Sequence, residues 1–190
     1  AHQRIAPEDK AGEAEILAEI GLNLSDTRRF GDAADMLDRA EADARASGDA
    51  LLVSKITNYR AIDALNQGNN DDAMRLAGEA NAQRARLGAL SAQGGPASSI
   101  SAADARVIEA RAPTRGPRAL VVILQEVSTA DRSAVLSAQA SAIAGTAARA
   151  LSRPDAGAFL TQAQSYLRAS NVQPAWLAGQ IYEERSALSL

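Results

Sequence analysis

The sequence predicts an all-α fold in which antiparallel helix pairs repeat as an α-solenoid of about seven to eight helices. Aromatic residues make up only 3% of the 190 residues, and alanine, the strongest helix former, dominates the apolar set. Apolar side chains recur at helical spacing along most of the chain. The sequence also resembles itself when it is shifted by 40 residues, which brings Gly21 onto Ala61. Small side chains at repeated positions suit helices that approach each other closely.

Charge and composition exclude several classes of protein. The net charge is −3 and the isoelectric point is about 5.2, whereas nucleic-acid binders need clustered positive charge. We therefore expect no nucleic-acid partner. The longest apolar run, Ala119 to Leu124, is much shorter than the roughly 20 residues that cross a bilayer, so we expect no membrane span. The chain has no cysteine, which excludes disulfides, thiolate metal sites and a cysteine nucleophile within it.

Helix-start and helix-stop signals divide the chain into pairs. Pro7, Pro154 and Pro174 suit helix starts, and Gly48 and Gly68 stand where helices should stop. On these signals we predict a single helical domain, read as a fragment of a longer chain. Its predicted parts are unit one at 8–47, unit two at 50–87, a loop and irregular insertion at 88–128, unit three at 129–169 and the start of a further unit at 173–190.

The insertion interrupts the helical pattern. Residues 91–99 have the composition of a flexible loop, and Ser101 opens a capping-box pattern for a short helix. The run from Ala119 to Leu124 could be a strand by periodicity alone. Because the sequence offers it no strand partner, we predict a buried helical or extended piece there.

The 40-residue shift places small residues on small residues, and the order of residue types follows the tetratricopeptide (TPR) pattern. In the first unit that order is Leu17, Ile20, Gly21, Leu24, Phe30, Ala33, Leu37 and Ala40. Gly21 and Ala33 should let the two helices of the unit touch, because a bulky side chain at either position would push them apart. A weaker third unit has small or apolar residues at the corresponding places, Ala144, Ala156, Leu160 and Ala163.

Four stretches carry a resemblance to a known family: Leu24–Phe30, Asn58–Gly68, Leu136–Gln139 and Gly145–Ala148. They resemble the N-terminal TPR-like repeat region of bacterial CHAT-domain proteins, which carry a caspase-like domain after their repeats. The resemblance implies a recognition or regulatory arm that acts on a partner or on a caspase-like domain of the same chain. That family's catalytic His and Cys belong to the later domain, so no catalytic residue carries over. Related proteins are often exported, which leaves periplasmic and cytoplasmic locations both open.

Residues that could carry chemistry are few. His2 is the only histidine and cannot form a multi-histidine metal site. Asp71 and Asp72 fit the acidic first turn of a helix better than a metal site, and Glu183 and Glu184 fit a solvated helix face. No phosphate-binding or nucleophile-elbow motif occurs in the sequence. We therefore expect no catalytic residue, no metal and no cofactor, and we predict that the chain is not an enzyme.

The first helix of each unit should line a concave groove in a TPR-like fold, and polar residues there are the candidate partner-binding residues. They are Glu15, Asp26, Lys55, Asn58, Asn66, Ser141 and Arg149. Asparagine can both donate and accept, so it can hold a peptide backbone, and lysine attracts a carboxylate. The alternative interpretation is that these are simply exposed polar side chains.

Three functions remain open. The first is a non-catalytic protein- or peptide-binding repeat module that recruits or regulates a partner or a downstream protease-like domain. The second is a purely structural arm that packs on a downstream domain, and the third, more remote, is an unrecognised enzyme. The last predicted helix carries apolar residues without a second helix to cover them, from which we expect weak self-association.

Overall fold

The structure of the protein, a computed structural model, describes residues 10–92 and 129–188. Within these ranges the chain forms seven helices and no strand. In order they are α1 Lys10–Asp26, α2 Phe30–Ser47, α3 Ala50–Asn66, α4 Asn70–Ala92, α5 Thr129–Ala150, α6 Ala156–Ala169 and α7 Ala175–Ala187. The predicted all-α fold is confirmed. The helix α4 continues through residues 88–92, where the insertion was predicted to begin. The rest of that insertion, with the run from Ala119 to Leu124, lies outside the described residues, as does His2.

The helices form adjacent pairs that stack on one another. The helices α1 and α2, α3 and α4, and α5 and α6 each pack together, and α7 lies against α5 and α6. The first helices of successive pairs also contact each other, α1 with α3, α3 with α5, and α5 with α7. This is the arrangement of an all-α helical repeat. In the described part of the chain, no helix has both the length and the sustained apolarity that spanning a bilayer requires.

The turn inside each pair has the same backbone conformation. Arg28, Gly68 and Ser152 all adopt a left-handed conformation, with φ of 62°, 79° and 56°. The amide of the next residue in each turn donates to a carbonyl five residues earlier, as in Arg29 N to Leu24 O at 2.9 Å. The two counterparts of that bond, Asn69 N to Ala64 O and Arg153 N to Ala148 O, are both 2.8 Å long. This left-handed helix ending is the one that glycine favours, yet here arginine and serine adopt it too. The repeat is therefore more regular in backbone conformation than in amino-acid sequence.

The closest contact within a pair is made by glycine in the first and third pairs. A Cβ added at Gly21 would lie 2.8 Å from Leu37 Cγ, and one added at Gly145 would lie 2.6 Å from Leu160 Cδ2. The predicted role of Gly21 as a helix-contact residue is confirmed. In the third pair the contact falls at Gly145 rather than at the predicted Ala144, because only three residues separate the left-handed Ser152 from Ala156, whereas four separate Arg28 from Ala33.

Three apolar clusters hold the stack together. One joins α1, α2 and α3 and includes Leu17, Leu37 and Ile56. A second joins α5, α6 and α7 through larger side chains such as Leu177 and Ile181. The third lies among α3, α4 and α5 and consists mostly of alanine, with Ile143 as its one large buried residue. The middle of the stack is therefore the poorest in large apolar side chains.

Candidate functional site

A polar seam between α1 and α3 contains four of the seven predicted partner-binding residues. Lys55 Nζ lies 3.0 Å from Glu15 Oε1 and 3.4 Å from Glu19 Oε1. Asn66 Nδ2 donates to Ser25 Oγ at 3.0 Å and to Asp26 Oδ1 at 3.3 Å. The residues of each pair stand about one repeat apart in sequence, which is why helical stacking brings Glu15 to Lys55 and Asp26 to Asn66.

Tyr59 anchors the buried side of this seam. Its ring is fully buried, and its hydroxyl donates to Glu19 Oε1 at 2.7 Å. Lys55 Nζ lies 5.6 Å from the centre of the ring, within the range of a cation–π contact. Burial raises the pKa of Tyr59 well above its ordinary value, and the neighbouring negative charge of Glu19 raises it further. Lys55, whose side chain is only 8% exposed, is thus held inside the seam by two carboxylates and a ring.

The second and third pairs meet around a buried arginine. Arg84 of α4 is 3% exposed. Its guanidinium donates to Ser137 Oγ at 2.9 Å, to Asn81 Oδ1 at 2.9 Å, to Ser54 Oγ at 3.2 Å and to Asn58 Oδ1 at 3.4 Å. All of these acceptors are neutral, and in the described part of the chain no carboxylate pairs with Arg84.

The same junction contains two more of the predicted residues. Asn58 is fully buried, and its Nδ2 donates to Leu136 O at 2.9 Å and to Gln139 Oε1 at 3.3 Å. Ser141 is also fully buried and accepts from Asn81 Nδ2 at 3.1 Å. We call Ser54, Asn58, Asn81, Arg84, Ser137, Gln139 and Ser141 the polar junction.

Burial without a counter-charge shapes the electrostatics of the polar junction. Desolvation lowers the pKa of Arg84 to about 9, so the side chain stays protonated near pH 7. A buried cation is costly unless its donors are all satisfied, and the oxygens of the two asparagines and two serines supply that satisfaction. Gln139 Nε2 has no hydrogen-bond partner among the described residues. The polar junction is therefore a structural network in which the positive charge of Arg84 is buried between helices.

Arg149 is the last of the predicted residues, and it ties α5 to the final helix. Its Nε donates to Glu184 Oε2 at 2.7 Å, and this bond raises the pKa of Arg149. The polar atoms of Lys55, Asn58 and Ser141 thus form ion pairs or hydrogen bonds with other helices of the protein. Glu15, Asp26, Asn66 and Arg149 keep partly or fully exposed side chains, and for them partner binding stays a prediction.

Sequence reasoning missed a groove between α6 and α7. It has a volume of about 620 Å³, and its walls include Gln164, Leu167, Arg168, Ile181, Tyr182 and Ser186. Tyr182 is 74% exposed. Arg168 is exposed and has no hydrogen bond or ion pair with any described residue. The apolar spacing on the last helix was visible in the sequence, but it did not show against which pair that helix packs.

A smaller groove of about 220 Å³ lies among α2, α3 and α4. Unlike the first, it is neutralised by its own ion pairs. Arg60 Nη1 lies 2.9 Å from Asp38 Oδ1 and also pairs with Glu41, and Arg75 Nη2 lies 3.2 Å from Asp72 Oδ1. The lining of the larger groove is therefore the more positive of the two.

No group of three or more histidine, aspartate or glutamate side chains placed to hold a metal ion occurs in residues 10–92 and 129–188. The groups with shifted pKa values in the same ranges, such as Tyr59 and Arg84, have structural partners and do not converge on one cleft. No protein-family model, curated protein or solved structure matches the chain at a significant level.

Proposed function

We propose that this chain is a non-catalytic helical-repeat module, TPR-like in its packing, that binds a protein or peptide partner. The observation that carries the proposal is the groove between α6 and α7, a helix-lined cleft of about 620 Å³ with an exposed tyrosine in its wall. Grooves between helices that accept a further helix are a recurrent mode of peptide recognition. The resemblance to the repeat region of CHAT-domain proteins supports the same proposal.

A second function is favoured by a different observation. Lys55, Asn58 and Ser141 direct their polar atoms to other helices rather than to solvent. A purely structural arm, packed on another domain of a longer protein, needs such internal rigidity and no binding groove. The two functions differ in what they predict for the chain when it is tested alone.

Selection from a displayed library of helical peptides tests the proposal. We expect peptides that bind the folded chain with dissociation constants on the order of micromolar. The control is an Ala61→Pro variant, in which the proline should break α3, so peptides enriched on both proteins are discarded. If no peptide is enriched on the folded chain alone, the binding module is wrong. Tight association with the remainder of a longer protein, supplied separately, would then support the structural arm.

A further inference from the structure

The smaller groove, among α2, α3 and α4, contains a buried carboxylate without a cation. Asp63 lines this groove and is only 7% exposed. Gln67 Nε2 donates to its Oδ2 at 2.7 Å, but its Oδ1 is buried and has no hydrogen-bond partner among the residues that the structure describes. The ion pairs of the groove neutralise Asp38 and Asp72 and do not include Asp63. Because a buried carboxylate is costly unless it is paired, this oxygen suits a positively charged ligand.

The stacking of the pairs does not require a charge at this position. Five residues before the left-handed residue of each turn, the chain has Asn23 in α1, Asp63 in α3 and Ala147 in α5. All three pairs pack closely, and Ala147 is fully buried without any polar group on its side chain. The packing that the pairs share therefore does not explain the carboxylate of Asp63.

The hydrogen bonding of Asp63 favours an ammonium over a guanidinium. Gln67 already occupies one carboxylate oxygen, so a guanidinium cannot form the two parallel hydrogen bonds that it makes with a free carboxylate. An ammonium is a compact charge on a flexible stem and can use the one remaining oxygen. Ala64 and Leu76 in the walls of the groove can cover the aliphatic stem of a lysine.

The size of the groove also fits a single side chain. Its volume of about 220 Å³ lies below the roughly 300 Å³ at which small-molecule sites begin. Asn69 is an exposed residue of the lining, and its side-chain amide makes no hydrogen bond with a described residue. Since such an amide can both donate and accept, it can hold the peptide backbone beside an inserted side chain.

The lysines of the sequence are engaged elsewhere. The 190 residues contain two of them, Lys10 and Lys55. Lys10 Nζ lies 3.4 Å from Asp43 Oδ1, and Lys55 Nζ lies in the seam beside two carboxylates of α1. A lysine that reaches Asp63 must therefore come from outside these residues.

We propose that the groove among α2, α3 and α4 binds a lysine side chain of a polypeptide segment that is not among the 190 residues. The ammonium donates to Asp63 Oδ1, while the aliphatic stem lies on Ala64 and Leu76. Asn69 holds the backbone of the bound segment. The site is separate from the groove between α6 and α7, so this inference goes beyond the proposed function and does not depend on it.

Nuclear magnetic resonance tests the proposal, through the amide chemical shifts of Asp63 and Asn69 in the ¹⁵N-labelled chain during titration. The probe is a blocked pentapeptide with lysine at its centre and glycine or alanine elsewhere. We expect a dissociation constant on the order of millimolar, because few atoms make contact. Two matched peptides carry Nε-acetyl-lysine, which keeps the stem without the charge, or arginine. Each should bind about tenfold more weakly or worse.

A pair of variants locates the binding. Asp63→Asn keeps the size of the side chain and removes its charge, so it should weaken the lysine peptide by about tenfold or more. Its thermal midpoint should not fall, because the variant removes a buried charge that has no counter-ion. Asp35→Asn is the control, since Asp35 is an exposed carboxylate of α2 outside the groove, and it should leave the affinity unchanged.

Several outcomes would overturn the proposal: no binding of the lysine peptide, equal binding of the lysine and acetyl-lysine peptides, or equal effects of Asp63→Asn and Asp35→Asn. A lower thermal midpoint for Asp63→Asn would assign Asp63 a structural role instead. Cadaverine that binds as tightly as the lysine peptide would make a free amine the ligand. Self-association in light scattering that Asp63→Asn abolishes would make Lys10 of a second copy the occupant. Peptide binding between α6 and α7 should be the same in wild type and Asp63→Asn, so the proposed function is tested separately.

Discussion

The junction between the first and second pairs and the junction between the second and third are built on the same backbone but from different chemistry. On the first helices of the pairs, Ser54 and Asn58 of α3 stand where α1 has Ala14 and Ala18, and all four are fully buried. On the second helices, Arg84 of α4 stands where α2 has Ala44. At three equivalent core positions, the second pair has therefore exchanged alanine for serine, asparagine and arginine.

The difference shows that close helix spacing and a specific docking geometry of the pairs are separate requirements in this stack. The first two pairs are joined by a short turn at Gly48, which by itself restricts how they can meet. The second and third pairs are separated in sequence by residues 93–128, which is a much longer stretch. Buried polar groups accept few arrangements, since each alternative leaves donors or acceptors unpaired. We infer that the polar junction selects one docking geometry between the second and third pairs.

The largest expected effect comes from breaking the polar junction. Asn58→Leu removes an acceptor from the buried Arg84 and a donor from Leu136 O and Gln139 Oε1. Leaving a buried cation with fewer partners should lower the free energy of unfolding by about 3 kcal/mol. Urea unfolding measures this.

The control for that change is Asn66→Ala in the partly exposed seam between α1 and α3, where the loss should stay near 0.5 kcal/mol, about the usual size for surface positions. Similar losses for Asn58→Leu and Asn66→Ala would show that the polar junction is no more important than the seam.

The comparison of helix spacing can be tested by giving the first pair the residues that the second pair has at the same helix contact. The first pair has Gly21 against Leu37, and the second has Ala61 near Ala77. Gly21→Ala alone should cost about 1 kcal/mol by overpacking, and Leu37→Ala alone about 3 kcal/mol by leaving a cavity. In the double variant the new methyl group fills part of that cavity. The double variant should therefore be more stable than the sum of the two losses predicts, by about 1 kcal/mol or more.

Additive losses in that cycle would mean that Gly21 and Leu37 do not compete for the same space, contrary to the 2.8 Å approach of an added Cβ. A useful control is Gly31→Ala, because a Cβ there meets nothing within 4 Å. That change should stabilise α2 slightly through helix propensity.

The sequence predicted the spacing well and the junction chemistry poorly, for a physical reason. Close contacts depend on single small residues, so Gly21 and Ala33 were visible in the repeat. Buried polar groups look the same in sequence as exposed ones, and Asn58 and Ser141 were therefore placed on a partner-binding surface although their atoms serve other helices. Arg84 gave no signal, since arginine on an amphipathic helix usually reaches solvent. The groove between α6 and α7 could not be found without knowing that α7 seats on the third pair.

The last prediction concerns the seam between α1 and α3 at high pH, and its effect is the smallest near neutrality. Burial and Glu19 raise the folded-state pKa of Tyr59 above the value of 10.0 expected for the unfolded chain. The stabilisation is therefore fully present below pH 10 and is lost as the pH rises toward the folded-state pKa, because unfolding then releases a proton. The slope should be about 1.4 kcal/mol per pH unit in that interval.

Tyr59→Phe removes the titrating group, so we expect its stability to fall less steeply than that of the wild type between pH 10 and 11. The control is Tyr182→Phe, which removes the hydroxyl of a tyrosine that is 74% exposed. Parallel stability curves for wild type and Tyr59→Phe would show that the Tyr59 hydroxyl is not buried against Glu19. The contrast between the seam, where carboxylates take part, and the polar junction, where all partners of Arg84 are neutral, would then no longer hold.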